Sequence, residues 1–380
     1  MITSKVAEAL HAPFRQCRPS SSFPLLIGLV CRMALLLFLV PGCGASDRAA
    51  HRPVQRRLVY IEANGASIAA KWRVMEMVAD GSSHRVTAYG DYDPGVLRVS
   101  PDGGTVLLLA SHGEALHFVS LTTGGVSNVR APKGYFFRAN IAWAPSGRLI
   151  ACVAAPKGPD PTKGPSLNLL MLVNTETHVA RILVGKTAAL DGPTWSPDGH
   201  VIAFATSKGI EIVHADGTSR RRLVAATLEA GRGETPSLPA WAPNGRAVAF
   251  VYVGFPNGKT TVATVAIKHK SQRRLDSCDF AIPMWSPDGR YLLYGDTDLQ
   301  GARRLACMEL MSGKRIDLSS KSSSLFALSW SDDGKSILAL RAPPSRFRSG
   351  ARLVVISLPS RRETALDTGR GSVGVGAWLR

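Results

Sequence analysis

Thr194-Trp195-Ser196-Pro197-Asp198-Gly199-His200-Val201-Ile202-Ala203-Phe204 reads as the end of one strand, a tight turn and a second strand. Pro197 pre-sets φ for a turn position, Asp198 can hydrogen-bond the backbone two residues on, and Gly199 supplies the positive φ that lets the chain reverse. Val201, Ile202 and Ala203 follow as a short apolar run with β-branched members, the pattern of a well-buried strand. Trp195 is large enough to fill the gap between two packed sheets. Nothing in the stretch requires catalysis.

Variants of it recur to the end of the chain. They are Val99-Ser100-Pro101-Asp102-Gly103, Trp143-Ala144-Pro145-Ser146-Gly147, Trp195-Ser196-Pro197-Asp198-Gly199, Trp241-Ala242-Pro243-Asn244-Gly245, Trp285-Ser286-Pro287-Asp288-Gly289, Trp330-Ser331-Asp332-Asp333-Gly334 and the truncated Ala377-Trp378-Leu379-Arg380. Equivalent positions lie 44, 52, 46, 44, 45 and 48 residues apart. That period fits four short strands per repeat, which is a propeller blade. In the copy around Trp195 the strands are expected at 193–195, 201–206, 210–214 and 221–224. Arginines in the fourth position, such as Arg221-Arg222, suit an outermost strand whose charges discourage edge-to-edge pairing. Because Asp102, Asp198, Asp288 and Asp333 recur once per blade, they serve the turn and not catalysis or calcium.

The chain ends set the number of blades. Residues 58–62, 71–77 and 85–89 have the pattern of second, third and fourth strands without a first, and 373–379 has that of a first strand with nothing after it. Joining the two predicts an all-β, seven-bladed β-propeller over 57–380, closed by the C-terminal strand entering an N-terminal partial blade. A six-bladed ring is the alternative.

The repeat resembles the TolB-like, WD40-like propeller family, whose consensus ends one strand in Trp-Ser-Pro-Asp-Gly and resumes with an Ile-Ala-Phe type strand. The resemblance covers roughly residues 57–380. TolB carries an additional α/β domain ahead of its propeller, whereas a short tether precedes the repeats here, so the partnerships of the Tol system are not carried over.

Residues 1–43 have the character of an export signal. Lys5, Arg15, Arg18 and Arg32 make the front basic, and two apolar runs, 24–30 and 33–40, are each too short to span a membrane. Leu39-Val40-Pro41-Gly42-Cys43-Gly44 resembles a bacterial lipobox, which implies cleavage before Cys43 and lipidation of its thiol; Pro41 departs from the usual residue. The alternative is an ordinary secretory signal with an incidental cysteine. Residues 44–56 are polar, basic and aperiodic, a tether. The resulting expectation is a cell-envelope protein, periplasmic or outer-surface and membrane-held through its lipid, or else secreted.

Charge and cysteines narrow the chemistry. The net charge of +18 comes mostly from scattered arginines, with no long basic run, RNA-binding aromatic-basic signature or zinc-finger spacing. A dedicated nucleic-acid reader is therefore not expected. No cysteine pair has CxxC spacing; Cys152 reads as a small buried hydrophobe, and Cys278 and Cys307 could pair in an oxidising compartment. There is no Gly-x-Ser-x-Gly, no HExxH and no close histidine pair, so catalytic residues, cofactor and metal are all expected to be none.

Propeller function usually resides in irregular loops on one face and around the central channel. Tyr135, Phe136 and Arg138 in one connection, with Arg346 and Arg348 in another, form the candidate surface for an envelope protein or an acidic envelope polymer. The alternative is that Phe137 and Phe347 pack under their own loops. Trp143, Trp195, Trp241, Trp285, Trp330 and Trp378, with Asp198 and Asp288, belong to the structural repeat. Because the repeats consume the chain and the visible inner-strand segments (Ile141-Ala142, Ala240, Leu328) are mostly apolar, the expected function is a non-enzymatic, lipid-anchored scaffold. The alternative is a lyase or glycan-acting hydrolase with its site in the central channel.

Overall fold

A computed structural model describes residues 36–37, 57–63, 72–78, 84–90, 94–110, 112–158, 167–188, 190–229, 231–278, 282–297, 303–318, 324–342, 352–366 and 372–379. The export-signal and tether expectations, Cys43 included, therefore lie outside the described residues save for the two-residue strand β1 (Leu36–Leu37). Next come β2 (Arg57–Ala63), β3 (Trp72–Val78) and β4 (His84–Gly90). Blade 1 is β5 (Pro94–Val99), β6 (Thr105–Ala110), β7 (Ala115–Ser120) and β8 (Val126–Arg130). Blade 2 is β9 (Tyr135–Trp143), β10 (Leu149–Pro156), β11 (Leu167–Asn174) and β12 (Ala180–Ala188). Blade 3 is β13 (Asp191–Trp195), β14 (Val201–Thr206), β15 (Gly209–His214) and β16 (Arg221–Ala225). Blade 4 is β17 (Gly233–Trp241), β18 (Ala247–Phe255), β19 (Thr260–Ala266) and β20 (Gln272–Ser277). Blade 5 is β21 (Met284–Trp285), β22 (Tyr291–Thr297), β23 (Arg303–Glu309) and β24 (Lys314–Asp317). Blade 6 is β25 (Ser324–Trp330), β26 (Ser336–Ala342), β27 (Arg352–Ser357) and β28 (Glu363–Ala365), and the last strand is β29 (Ser372–Leu379).

Each of the six internal blades is a four-stranded antiparallel sheet in sequence order. The seventh has the order β29-β2-β3-β4, with Leu58 opposite Trp378 and Tyr60 opposite Gly376 in antiparallel register. Strand β1 adds to this sheet beside Leu58 and Trp378. The ring is thus seven-bladed and closed by both ends of the chain; the six-bladed alternative does not hold, because β29 finds its partner in β2.

The cores lie between blades. On β14, Ile202 and Phe204 enter the core shared with blade 2, while Ala203 and Ala205 enter the core shared with blade 4. Strand β10 divides likewise, with Ile150, Cys152 and Ala154 toward blade 1 and Ala151 and Val153 toward blade 3. Both faces of the middle strands are buried, so their sequences are continuously apolar where a half-buried strand would alternate. The same geometry settles the cysteines. Cys278 belongs to the core between blades 4 and 5 and Cys307 to the core between blades 5 and 6, so the blade 5 sheet separates them. They are free thiols and the disulfide is not formed. Burial pushes Cys152 and Cys307 up to about 12, leaving protonated, unreactive thiols.

The repeated turn works as a hydrogen-bonded unit. Ser196 Oγ donates to Asp198 Oδ1 at 2.5 Å, His200 N donates to the same oxygen at 3.0 Å, and Val201 N donates to Ser196 Oγ at 2.9 Å. Blades 1, 5 and 6 repeat the contact, with Ser-to-Asp distances of 2.5, 2.5 and 2.6 Å at Ser100, Ser286 and Ser331. Gly199 holds φ at 73°, and a Cβ there would meet Pro145 Cδ of the preceding blade's turn at 3.7 Å. The proline of one turn therefore packs on the glycine of the next. The Ser196 hydroxyl, then the His200 amide, hold the Asp198 carboxyl below its ordinary value, and Ser100 with the Gly104 amide does the same for Asp102. A carboxylate depressed in the folded state contributes stability above its unfolded pKa and loses it as pH falls through the folded value. Asp198→Ala is expected to cost about 1 kcal/mol at neutral pH. Its denaturant midpoint should approach that of the parent as pH falls beneath the ordinary aspartate range and through the depressed folded-state value; a gap that persists undiminished in acid would contradict the turn assignment.

Candidate functional site

Antiparallel blades divide the molecule into two faces. One carries the Ser-Pro-Asp-Gly turns and the turns between third and fourth strands; the other carries the connections between second and third strands and between blades. The first strand of each sheet is innermost, and the successive pairs β29–β5, β5–β9, β9–β13, β13–β17 and β17–β21 touch around the ring. Side chains on these strands, near the ends leading from the blade connections, surround the opening of the second face.

Two neighbouring inner strands bring polar groups together there. On β9, Ile141 pairs with Cys152 and Phe137 with Ala154, so Arg138, Ala139 and Asn140 bulge opposite Val153 alone. On β13 the register shifts between Asp191 and Thr194, where Gly192 takes a φ of 60°. Bulges re-aim side chains and bend the strand. Asn140 Nδ2 donates to Asp191 Oδ1 at 2.7 Å, the Gly192 amide donates to that oxygen at 2.8 Å, and Arg138 Nη2 lies 3.9 Å from Asp191 Oδ2. The Arg138 and Asp191 side chains are 20% and 16% exposed, half-buried but open to a solute. On the inner strand of blade 1, Arg98 donates to the Leu97 carbonyl at 2.9 Å, and burial draws its pKa below the usual arginine value. It remains a cation, since arginine titrates far above neutrality.

Other charges on the blades are absorbed by structure. Arg315 donates to Asp276 and Asp296 at 2.6 Å and to Asp317 at 2.9 Å, while Tyr294 Oη donates to Asp276 at 2.6 Å. Burial opposes the Arg315 charge, but these carboxylates outweigh it and raise its pKa. The group clamps blade 4 to blade 5. Arg274 pairs with Glu234 and lies over the Tyr252 ring at 4.4 Å; Arg341 pairs with Glu363. Across the second face Lys157 Nζ donates to Glu114 Oε1 at 2.8 Å, joining the connections of blades 1 and 2.

The aromatic–arginine surface is only partly brought together. Tyr135 and Phe136 begin β9 and are not loop residues: Tyr135 pairs with Pro156 and Phe136 with Ala155, and Tyr135 packs against the core between blades 1 and 2. Consecutive aromatics favour the strand. Phe137 is 1% exposed and belongs to that core, so it packs beneath the connection. Arg138 alone of the described candidates turns to a polar neighbour. Arg346 and Arg348 lie outside the described residues. Asn140 and Asp191 were not singled out in sequence. Their signal is the polar residues three and four positions before Trp143 and Trp195, where Leu238, Ile282 and Ala327 stand three before their own tryptophans. The expectation of mostly apolar inner strands is corrected accordingly: it holds at Ala142, Ala240 and Met284 beside their tryptophans, and fails at Arg98, Thr194 and Ser329 in the equivalent positions and at the bulged entry ends of β9 and β13.

The fold defines the class, a seven-bladed β-propeller closed by both ends of the chain. No protein-family model matches the chain. Among solved structures it is similar to an oligogalacturonate lyase in complex with manganese, at TM-score 0.63 and 15% identity, over 87% of this chain and 98% of that one. It is also similar to the oligogalacturonate lyase of Vibrio parahaemolyticus, at TM-score 0.62 and 13% identity, over 87% of this chain and 100% of that one. A puromycin hydrolase matches at TM-score 0.61 and 15% identity over 92% of this chain but 56% of its own length. These likenesses establish the fold. They also overturn the argument for a non-enzymatic scaffold, which rested on repeats consuming the chain: the two lyases align over 98% and 100% of their own lengths, so a propeller fold without an appended domain serves as an enzyme. Among the described residues no three of His, Cys, Asp and Glu come together to hold a metal ion, and Asp191 faces a guanidinium that would repel a divalent cation. This site does not fit manganese.

Proposed function

We propose that this chain is a propeller enzyme that cleaves an acidic glycan, with its site at the inner-strand opening beside Arg138, Asn140 and Asp191. The observation that carries the reading is the pair of bulged inner strands that bring a guanidinium and a hydrogen-bonded carboxylate together, half-buried, in a protein of net charge +18. The guanidinium fork matches a uronate carboxylate, with five N–H donors against two oxygens. Neutralising that carboxylate acidifies the adjacent C5–H of the sugar. In an elimination, a base removes the C5 proton, the C4–O bond breaks, a C4=C5 double bond forms and the departing oxygen takes a proton. Asp191, fixed by Asn140 and the Gly192 amide, is the base within reach of a sugar held by Arg138. The substrate class of the two lyases matches this chemistry, and the net basic charge favours capture of a polyanion. An export signal and lipidated Cys43 would place the enzyme in the cell envelope, where such polymers are met.

The test is incubation of the purified protein with size-defined oligogalacturonates and other oligouronates, following both the ultraviolet absorbance of unsaturated uronates and new reducing ends. An unsaturated product is expected, with Arg138→Ala lowering kcat/KM about 10–100-fold, the worth of a hydrogen-bonded charge. Reducing ends without unsaturation would convert the reading to hydrolysis, and neither product from any oligouronate would overturn it.

A further inference from the structure

On the opposite face, blades 1 and 2 part to leave a crevice of about 470 Å³. Its walls include Phe118 and Trp143, whose rings meet edge to face at a centroid distance of 6.2 Å. His178 lies over Phe118 at 5.3 Å and shares a hydrogen bond with Ser127 Oγ at 3.1 Å, tying the two blades together across the crevice. At its rim Arg148 and Glu176 pair at 3.8 Å, both exposed. The left-handed φ of 58° at His178 is shared by Ser219, Lys270 and Arg361 in other turns between third and fourth strands, so it belongs to the repeat. What is particular here is the side chain it carries and the small Ser127 opposite.

We propose that this crevice binds a neutral sugar ring. A pyranose has an apolar C–H face and a rim of hydroxyls, and the crevice offers the complement: aromatic carbon beside serine hydroxyls, an imidazole and a carboxylate–guanidinium pair. Its volume lies within the usual ~300–1,000 Å³ of small-molecule pockets. The sign of charge separates it from the opening on the other face. Arg148 is already matched by Glu176, and Asp102, also in the lining, is engaged by Ser100 and Gly104, so no surplus cation calls for an acidic ligand. The indoles of Trp195, Trp285 and Trp330 donate to carbonyls of the preceding blade at 3.1, 3.0 and 3.2 Å, whereas among the described residues the buried indole nitrogen of Trp143, like that of Trp241, has no hydrogen-bond partner. The inference does not depend on the catalytic reading.

The test is saturation-transfer NMR and calorimetry of the full chain with glucose, galactose and mannose at millimolar concentrations. Saturable binding of at least one hexose is expected, weakened at least tenfold by Ser127→Trp, which fills the crevice, and unchanged by Arg138→Ala on the other face. His178→Ala, which removes a wall without adding bulk, should also weaken binding and decides the matter if the filled variant does not fold. Absence of saturable hexose binding, binding that survives in folded Ser127→Trp or His178→Ala, or tighter binding of galacturonate than of galactose in Arg138→Ala, where the opposite opening has lost its guanidinium, would overturn the proposal.

Discussion

A chain ended after residue 371 is expected to lose its cooperative unfolding transition. Removal of β29 takes away the inner strand of the seventh blade and leaves β2 with an unpaired edge. It also removes the contacts of β29 with the inner strands of blades 1 and 6, so the ring is breached at three junctions at once. An open edge of apolar sheet is a template for association with other chains. Circular dichroism should therefore show a broad, early melt, and sedimentation should show aggregates. A synthetic peptide of residues 372–380 added in trans should restore part of the sharp transition, since the register of Leu58 with Trp378 and Val59 with Ala377 is built into both strands. A truncated monomer that melts sharply at the parent's temperature would show that closure by this strand does not hold the ring.

Trp195→Ala should cost about 3–5 kcal/mol, the range for removing a buried aromatic side chain. Trp195 is 6% exposed and fills the core between blades 2 and 3 beside Ala144, Val153 and Phe204, small and large residues that cannot all collapse into its space. Its indole N–H also donates to the Ala142 carbonyl of blade 2 at 3.1 Å. The two contributions can be separated. Trp195→Phe keeps most of the ring but loses the donor and is expected to cost about 1–2 kcal/mol, mostly for the carbonyl left without it. Denaturant unfolding at fixed pH measures both variants. Equal losses for Phe and Ala would mean that the hydrogen bond, and not the volume, holds the blades together.

The site was less legible than the fold. Arg138 could be named in sequence because it follows Tyr135-Phe136-Phe137 in a predicted connection, but its role there was assigned to a loop surface. The strand instead begins at Tyr135, and the bulge opposite Val153 lets Asn140 reach Asp191 of the next blade, 51 residues away. No local pattern encodes a contact between two bulges in different sheets. The pairing of Cys278 with Cys307 failed for a related reason: proximity along the repeat says nothing about which face of a sheet a residue takes, and here the faces differ. Likewise, whole-chain repetition was compatible with an enzyme, because a propeller can build its site from inner strands without adding a domain.

The sequence by itself determined the repeat and all that repeats with it. The Trp-Ser-Pro-Asp-Gly turn is local chemistry, a hydroxyl, a carboxylate and a positive φ within a few residues, so six near copies and a terminal fragment were enough to fix blade, strand order and closure. Tertiary structure alone decided which departures from the repeat meet. The Arg138–Asp191 opening and the Phe118–His178 crevice each join residues of adjacent blades, and their distances follow from the twist and bulging of whole sheets, which no single blade's sequence specifies.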